Sequence, residues 1–281
     1  MKKHLVTIAI ILVFLAGLSV LLYPYVADYF NAQNQSRAVA SYRDTVRNMS
    51  EEDRSDIWES AHEYNRALNT NMNRFMPSDE EHDFYNTLLN VTTAGIMGTL
   101  EIDLIGVNLA IYHGTTEGVL QVGLGHFEGT SLPVGGLGTH TVITGHRGLP
   151  SSTLLTNLDR MDIGDTFALH ILGESLWYQV DRIMIVEPED LSGLDFDPSM
   201  DYCTLITCTP YGINSHRMLV RGHRIDSPET VDRPATIVRS EAGRINRFIP
   251  LLIVVVPVAI VLLGFQFTRI LIRFVKARRK T

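Results

Sequence analysis

Tyr202-Cys203-Thr204-Leu205-Ile206-Thr207-Cys208 is an uncharged, largely apolar run, and it reads as a β-strand. Side chains alternate along a strand, so Cys203 and Cys208, five positions apart, point to opposite faces and cannot bridge within it. They are the chain's two cysteines, which leaves at least one thiol to be explained. Runs of the same kind recur on either side: Met97–Leu104, Leu109–His113, Thr141–Thr144, Phe167–Ile171, Trp177–Val186 and Met218–His223, most of them set off by glycine. Short strands at this density argue a mainly β domain, a barrel or a sandwich. Leu154–Leu158 reads as a short helix between strands.

Before Gly95 the character is different. Val39, Tyr42, Val46, Ile57, Ala61, Tyr64 and Leu68 follow helical spacing, broken near Ser50, whose followers Glu51-Glu52-Asp53 suit a helix N-terminus. Two helices are expected there, and a loop over Thr70–Asp83. Leu5–Ala27 and Phe248–Thr268 are uncharged runs of 23 and 21 residues, each long enough to cross a bilayer. The first exceeds the apolar core of a signal peptide, and Ala38-Val39-Ala40 lies well past its end, so it reads as a retained anchor. All 31 acidic residues fall between these runs, with 16 basic ones, while Lys2, Lys3 and six basic residues of the C-terminal tail lie outside. Basic flanks remain in the cytoplasm, which puts both termini inside and the acidic middle outside. A middle segment of net charge −15 does not fit nucleic-acid binding.

Thr204-Leu205-Ile206-Thr207-Cys208 resembles the T-L-x-T-C signature of the sortase transpeptidases, and Arg217 stands nine residues on. Gly145-His146-Arg147-Gly148-Leu149-Pro150 is similar to the histidine segment of class C sortases, the pilin-polymerising group of Gram-positive bacteria. Ile111–Thr115, Gly125–Pro133 and Thr209–Arg217 add further similar stretches in the same order. The resemblance implies an eight-stranded sortase-type β-barrel with an N-terminal helical and lid segment, flanked by two transmembrane helices. The expected organisation is a cytoplasmic stub and membrane helix over 1–27, a helical segment and lid over 28–95, and the barrel over 96–225. A linker over 226–247, a second membrane helix over 248–268 and a basic cytoplasmic tail over 269–281 follow.

The chemistry of the residues agrees with that resemblance. A thiol at a strand end can be exposed at a barrel rim, where sulfur both attacks a peptide carbonyl and leaves in a second acyl transfer. Cys208 is the candidate nucleophile, and Cys203 reads as a buried small apolar residue. His146, in a turn between Gly145 and Gly148, is the candidate general acid and base, with His140 as its competitor. Arg217 is the candidate donor to the developing oxyanion, with Arg221 and Arg224 as alternatives. His113, His126, His216 and His223 read as hydrogen-bonded core or rim histidines, and Arg147 as a surface or binding residue. No metal-ligand spacing occurs among the histidines, and neither a metal nor a cofactor is expected.

The resemblance implies cleavage of an L-P-x-T-G-like sorting signal, a thioacyl intermediate on Cys208, and transfer to a lysine amine of the next pilin. A cell-wall precursor amine as acceptor, or a non-catalytic pilus scaffold, are the other readings. Class C enzymes resemble one another in a lid that carries an Asp-Pro-aromatic tripeptide. Here the matching segment is Phe75-Met76-Pro77-Ser78, which lacks both the aspartate and the following ring. Unless Phe75 or Phe84 supplies the ring, such a lid is held loosely and Cys208 is open to reagents.

Overall fold

The computed structural model describes residues 2–92 and 94–227. The expected second membrane helix and tail, and all but the first residues of the linker, lie outside the described residues. Helix α1 covers Lys2–Asn48 and is the one described helix long and apolar enough to cross a membrane. The N-terminal stretch up to Pro24 separates from the compact unit that begins at Tyr25, and the candidate site lies wholly within the latter.

Ser50 ends α1 and starts α2 (Glu51–Leu68), its side chain accepting the Asp53 N–H at 3.0 Å, while the acidic first turn complements the helix dipole. Val39, Tyr42 and Val46 form the buried stripe of α1. The Tyr42 hydroxyl donates to the Met97 carbonyl at 3.0 Å and accepts the Leu172 N–H at 2.8 Å, which ties the helix to two places on the barrel. Asn65 of α2 does the same work differently, exchanging both hydrogen bonds with the backbone of Leu132 at 3.0 and 2.7 Å.

The barrel is built from β1 (Ile96–Ile102), β2 (Val107–His113), β3 (Leu124–His126), β4 (Thr139–Thr144), β5 (Thr166–Ile171), β6 (Glu174–Val186), β7 (Asp201–Thr209) and β8 (His216–Ile225). It closes in the order β1-β2-β3-β4-β7-β8-β6-β5. Two neighbours are parallel, β2 with β3 and β4 with β7; the second pair needs a crossover, which the β5–β6 hairpin supplies. Cys203 and Leu205 join the main core cluster, whereas Ile206 packs in a second cluster with Val142, Leu194, Leu219 and Phe127, the other side of the same strand.

Three local expectations are corrected. The expected loop over Thr70–Asp83 ends early, because α3 (Asp79–Thr87) starts inside it on a Ser78–Glu81 capping box. Leu154–Leu158 is not a helix; it is a turn that passes into a 3-10 turn at Leu158–Arg160, and Leu154 takes a positive φ of 35°. The three-residue strand β3 is absent from the sequence expectations, since its pattern is too short to show alternation. It is entered from a short helix, α4 (Glu117–Val122).

Candidate active site

Cys208 stands next to the last residue of β7 and is partly exposed, while Cys203 is 0% exposed and burial pushes its thiol well above the usual range. Both are free thiols. The opposite facing expected from their spacing is what the strand adopts.

Parallel pairing brings the His146 segment alongside Cys208, the candidate nucleophile. Thr144 of β4 is in register with Ile206, and the pairing continues past the strand end. The Gly145 N–H donates to the Ile206 carbonyl at 3.0 Å, and the Thr207 hydroxyl donates to the Gly145 carbonyl at 2.9 Å. On the far side of His146, the Arg147 guanidinium reaches the Thr209 hydroxyl at 3.3 Å. His146 therefore sits between residues tied to both neighbours of Cys208. Its own carbonyl accepts the Leu155 N–H at 3.2 Å. Gly145 makes room here, because a Cβ would fall 2.6 Å from the end of the Leu124 side chain and 3.0 Å from that of Leu155, and both leucines would have to shift.

Arg217 is the cross-strand partner of Cys208 in the β7–β8 ladder, so the two side chains share a face. One terminal nitrogen, Nη1, donates to the Asn214 and His216 carbonyls at 3.2 and 3.1 Å. The alternatives are engaged elsewhere. Arg221 forms a two-point ion pair with Asp181 at 3.0 and 2.8 Å and stacks 4.0 Å from the Tyr202 ring, and Arg224 lies over Tyr178. His140 is also occupied: it is buried, with Nδ1 on the Asp195 carbonyl at 3.0 Å and Nε2 on the Thr204 hydroxyl at 2.7 Å.

Residues 100–225 match the sortase domain family. Sortase C1 from Streptococcus agalactiae is 46% identical, over 68% of this chain and 99% of that one, with a TM-score of 0.66. The chain belongs to the sortase family of cysteine transpeptidases. A sortase C from Streptococcus pneumoniae, described with its pilin substrate specificity, is 42% identical over 68% of this chain and 97% of its own, with a TM-score of 0.62. Sortase D of Bacillus subtilis is more distant, 26% identical over 136 residues, a match that spans 66% of that relative's length.

Within this sortase, Arg147, expected from sequence to be a surface or binding residue, does not lie free on the surface. Its side chain is 8% exposed, Nε donates to the Thr156 carbonyl at 3.2 Å, Nη2 pairs with Asp159, and the Tyr211 ring lies 5.9 Å away. It clamps the His146 loop onto the end of β7. The same loop leans on α1, where Asp28 accepts from the Thr153 N–H at 2.8 Å and Asn31 donates to the Ser151 carbonyl at 2.7 Å.

The segment Phe75-Met76-Pro77-Ser78 has an anchor after all. Phe75 stacks on Phe127 with ring centroids 5.8 Å apart. Arg74 lies over the rings of Phe75 at 4.6 Å and Phe196 at 3.9 Å, donates to the Leu194 carbonyl at 3.2 Å, and faces Asp195 at 3.7 Å. Gly129, at φ +88°, lets the loop lie this close, since a Cβ there would be 2.4 Å from the Arg74 carbonyl. Met76 is 81% exposed, Ser78 caps α3, and Phe84 packs on Tyr64 instead. Of the two rings the sequence offered, Phe75 is the one that anchors the segment, with Arg74 as the charge, so the condition for a loosely held segment is not met. Phe127 bonds to Val142, which pairs with Thr204, so the anchor lies four residues along β7 from Cys208, roughly 13 Å.

Among the described residues no group of three or more His, Cys, Asp or Glu side chains could hold a metal. A cavity of about 840 Å³, lined by Trp58, His62, Leu137, Met200, Asp201 and Arg224 among others, lies between α2 and the barrel and includes none of the three candidate residues.

Two buried histidines set an acid limit on stability. Burial pushes both His126 and His140 down to about 4, so each is neutral in the folded protein, whereas the unfolded chain takes up the proton near pH 6.5. Proton uptake by the unfolded state alone favours unfolding, so this stability is whole above pH 6.5 and is lost as pH falls toward 4. Urea unfolding at pH 6.5 and pH 5 should differ by roughly 1.5 kcal/mol for each histidine. An unchanged unfolding free energy over that interval would contradict their neutral burial.

Proposed function

We propose that this sortase is a class C, pilus-polymerising transpeptidase on the outer face of a Gram-positive cell membrane, with Cys208, His146 and Arg217 as its catalytic residues. The observation that carries the reading is the pairing just described: β4 continues alongside β7 so that His146 flanks Cys208, and β8 sets Arg217 opposite it. Similarity to the streptococcal class C enzymes supports the pilin class of substrate.

The Cys208 sulfur attacks the carbonyl carbon between Thr and Gly of an L-P-x-T-G-like signal, its proton having passed to His146. Negative charge moves onto the carbonyl oxygen, where the Arg217 fork stabilises it. His146 returns a proton to the departing glycine amine, leaving a thioacyl enzyme. A pilin lysine amine then attacks the thioester, His146 takes its proton, and the isopeptide leaves as the Cys208 thiol is restored. Incubating the full chain in detergent with a sorting-signal peptide should give a covalent acyl adduct on Cys208 by intact mass. Adding pilin should give a ladder of polymers; transfer to a peptidoglycan-precursor amine in its place would make it an anchoring enzyme, and no adduct at all would leave a scaffold.

Arg74 and Phe75 act in this reading as the latch of a lid that a bound sorting signal displaces on its way along the barrel to Cys208. Arg74→Ala removes two cation–π contacts, a hydrogen bond and an ion pair, and an open fraction scales apparent substrate affinity directly. Peptide acylation should rise roughly tenfold at low peptide concentration. Because the latch lies well up the strand from the nucleophile, labelling of Cys208 by a small thiol reagent should change less than about threefold. Equal acceleration of both would place the latch over Cys208 itself.

A further inference from the structure

His146 presents an unexplained atom. Its Nε2 is closed off from solvent and has no hydrogen-bond partner. The nearest ion-pairing group is the carboxylate of Glu117, with Oε1 3.5 Å away. Glu117 opens α4, whose N-terminus Thr116 caps, and one turn on Gln121 donates to the same oxygen at 2.6 Å. The carboxylate is thereby held by its own helix turn, facing His146, although most of it is exposed. Other charged or titratable groups on the segments around the ring are Cys208 on β7, Arg217 on β8, and Arg147, which is committed to Asp159 and Thr209.

A neutral imidazole carries one proton, and which nitrogen holds it is decided by the partner of the other. A carboxylate accepts and cannot donate. We propose that Glu117 is a positioning residue that holds the proton of His146 on Nε2, so that Nδ1 is the nitrogen that exchanges protons with the thiol, the leaving amine and the incoming amine. The gap of 3.5 Å is long for a hydrogen bond in the resting enzyme and closes when His146 becomes the imidazolium, as acid–base contacts commonly do on the reaction path. In each proton transfer Nδ1 gives or takes the proton and Nε2 keeps its own, so the carboxylate remains charged throughout. This assignment rests on His146 being the acid and base.

The test reads the tautomer directly, in the resting full-length protein in detergent micelles, from the ring ¹⁵N shifts of labelled histidine, with His146→Ala identifying the signal. Neutral His146 should be protonated on Nε2 in the wild type and should interconvert between both tautomers in Glu117→Ala. Acylation at saturating peptide should fall roughly tenfold in that variant with half-saturation unchanged, a part of what a positioned acid–base supplies. Glu117→Gln, which keeps an acceptor oxygen, should retain the Nε2 proton and most of the rate. A wild-type proton on Nδ1, or one tautomer shared by wild type and Glu117→Ala, would overturn the assignment. Adduct formation by His146→Ala would instead defeat the acid–base reading and leave the tautomer result standing by itself.

Discussion

Cys208→Ala is expected to abolish the acyl adduct with a sorting-signal peptide, while Cys203→Ala forms it at close to the wild-type rate. The two thiols lie on one strand, yet one reaches the surface beside His146 and Arg217 and the other is sealed in the core. Without Cys208 no other free thiol has access to substrate, so the loss should be complete. Cys203→Ala removes one buried sulfur and should cost roughly 1 kcal/mol of stability through the small cavity it leaves. Intact mass after mixing with peptide reads the adduct, and a thermal melt reads the cavity. A folded Cys203→Ala protein that no longer acylates would refute the assignment of faces.

Arg217→Lys should lose roughly 10²–10³ in the rate of acylation although its charge is kept, the cost of one missing oxyanion donor. Arg217 places Nη1 on two backbone carbonyls at the Asn214 turn and has the rest of a planar fork to present to substrate beside Cys208. A lysine ammonium is a single point on a flexible stem, and the same carbonyls would draw it toward the turn. Single-turnover acylation at saturating peptide is the measurement. Near-normal acylation would show that Arg217 holds the Asn214 turn and does not stabilise the reacting oxygen. Arg221→Lys, with its guanidinium committed to Asp181, should acylate at nearly the wild-type rate.

Local chemistry alone was enough for several features. The odd spacing of Cys203 and Cys208 dictates opposite faces, because a strand alternates with period two. Ser50 with its acidic followers marks the break between α1 and α2, since a cap needs only residues within one turn. The same kind of signal stands at Ser78–Glu81, but polar surroundings that favour a loop obscure it, and α3 shows only in the structure. Cys208, His146 and Arg217 stand out as candidates because their neighbours form short patterns that can be matched without knowing the fold.

What the sequence could not decide involves segments far apart along the chain. Nothing local says that β4 pairs in parallel with β7, some 60 residues on, and that pairing is what brings His146 to Cys208. Arg147 reads from sequence only as a surface or binding residue because its partners, Thr156, Asp159 and Thr209, gather only when the loop folds back. Arg74 and Phe75 gained their role from Phe127, Leu194 and Phe196, and Glu117 gained its place from a short helix packed beside the His146 loop. Alternation and caps are set by backbone geometry over a few residues, so the local order of residues determines them. A partner for a buried charge or ring is set by where the closed barrel puts another stretch of chain, and only the tertiary structure decides that.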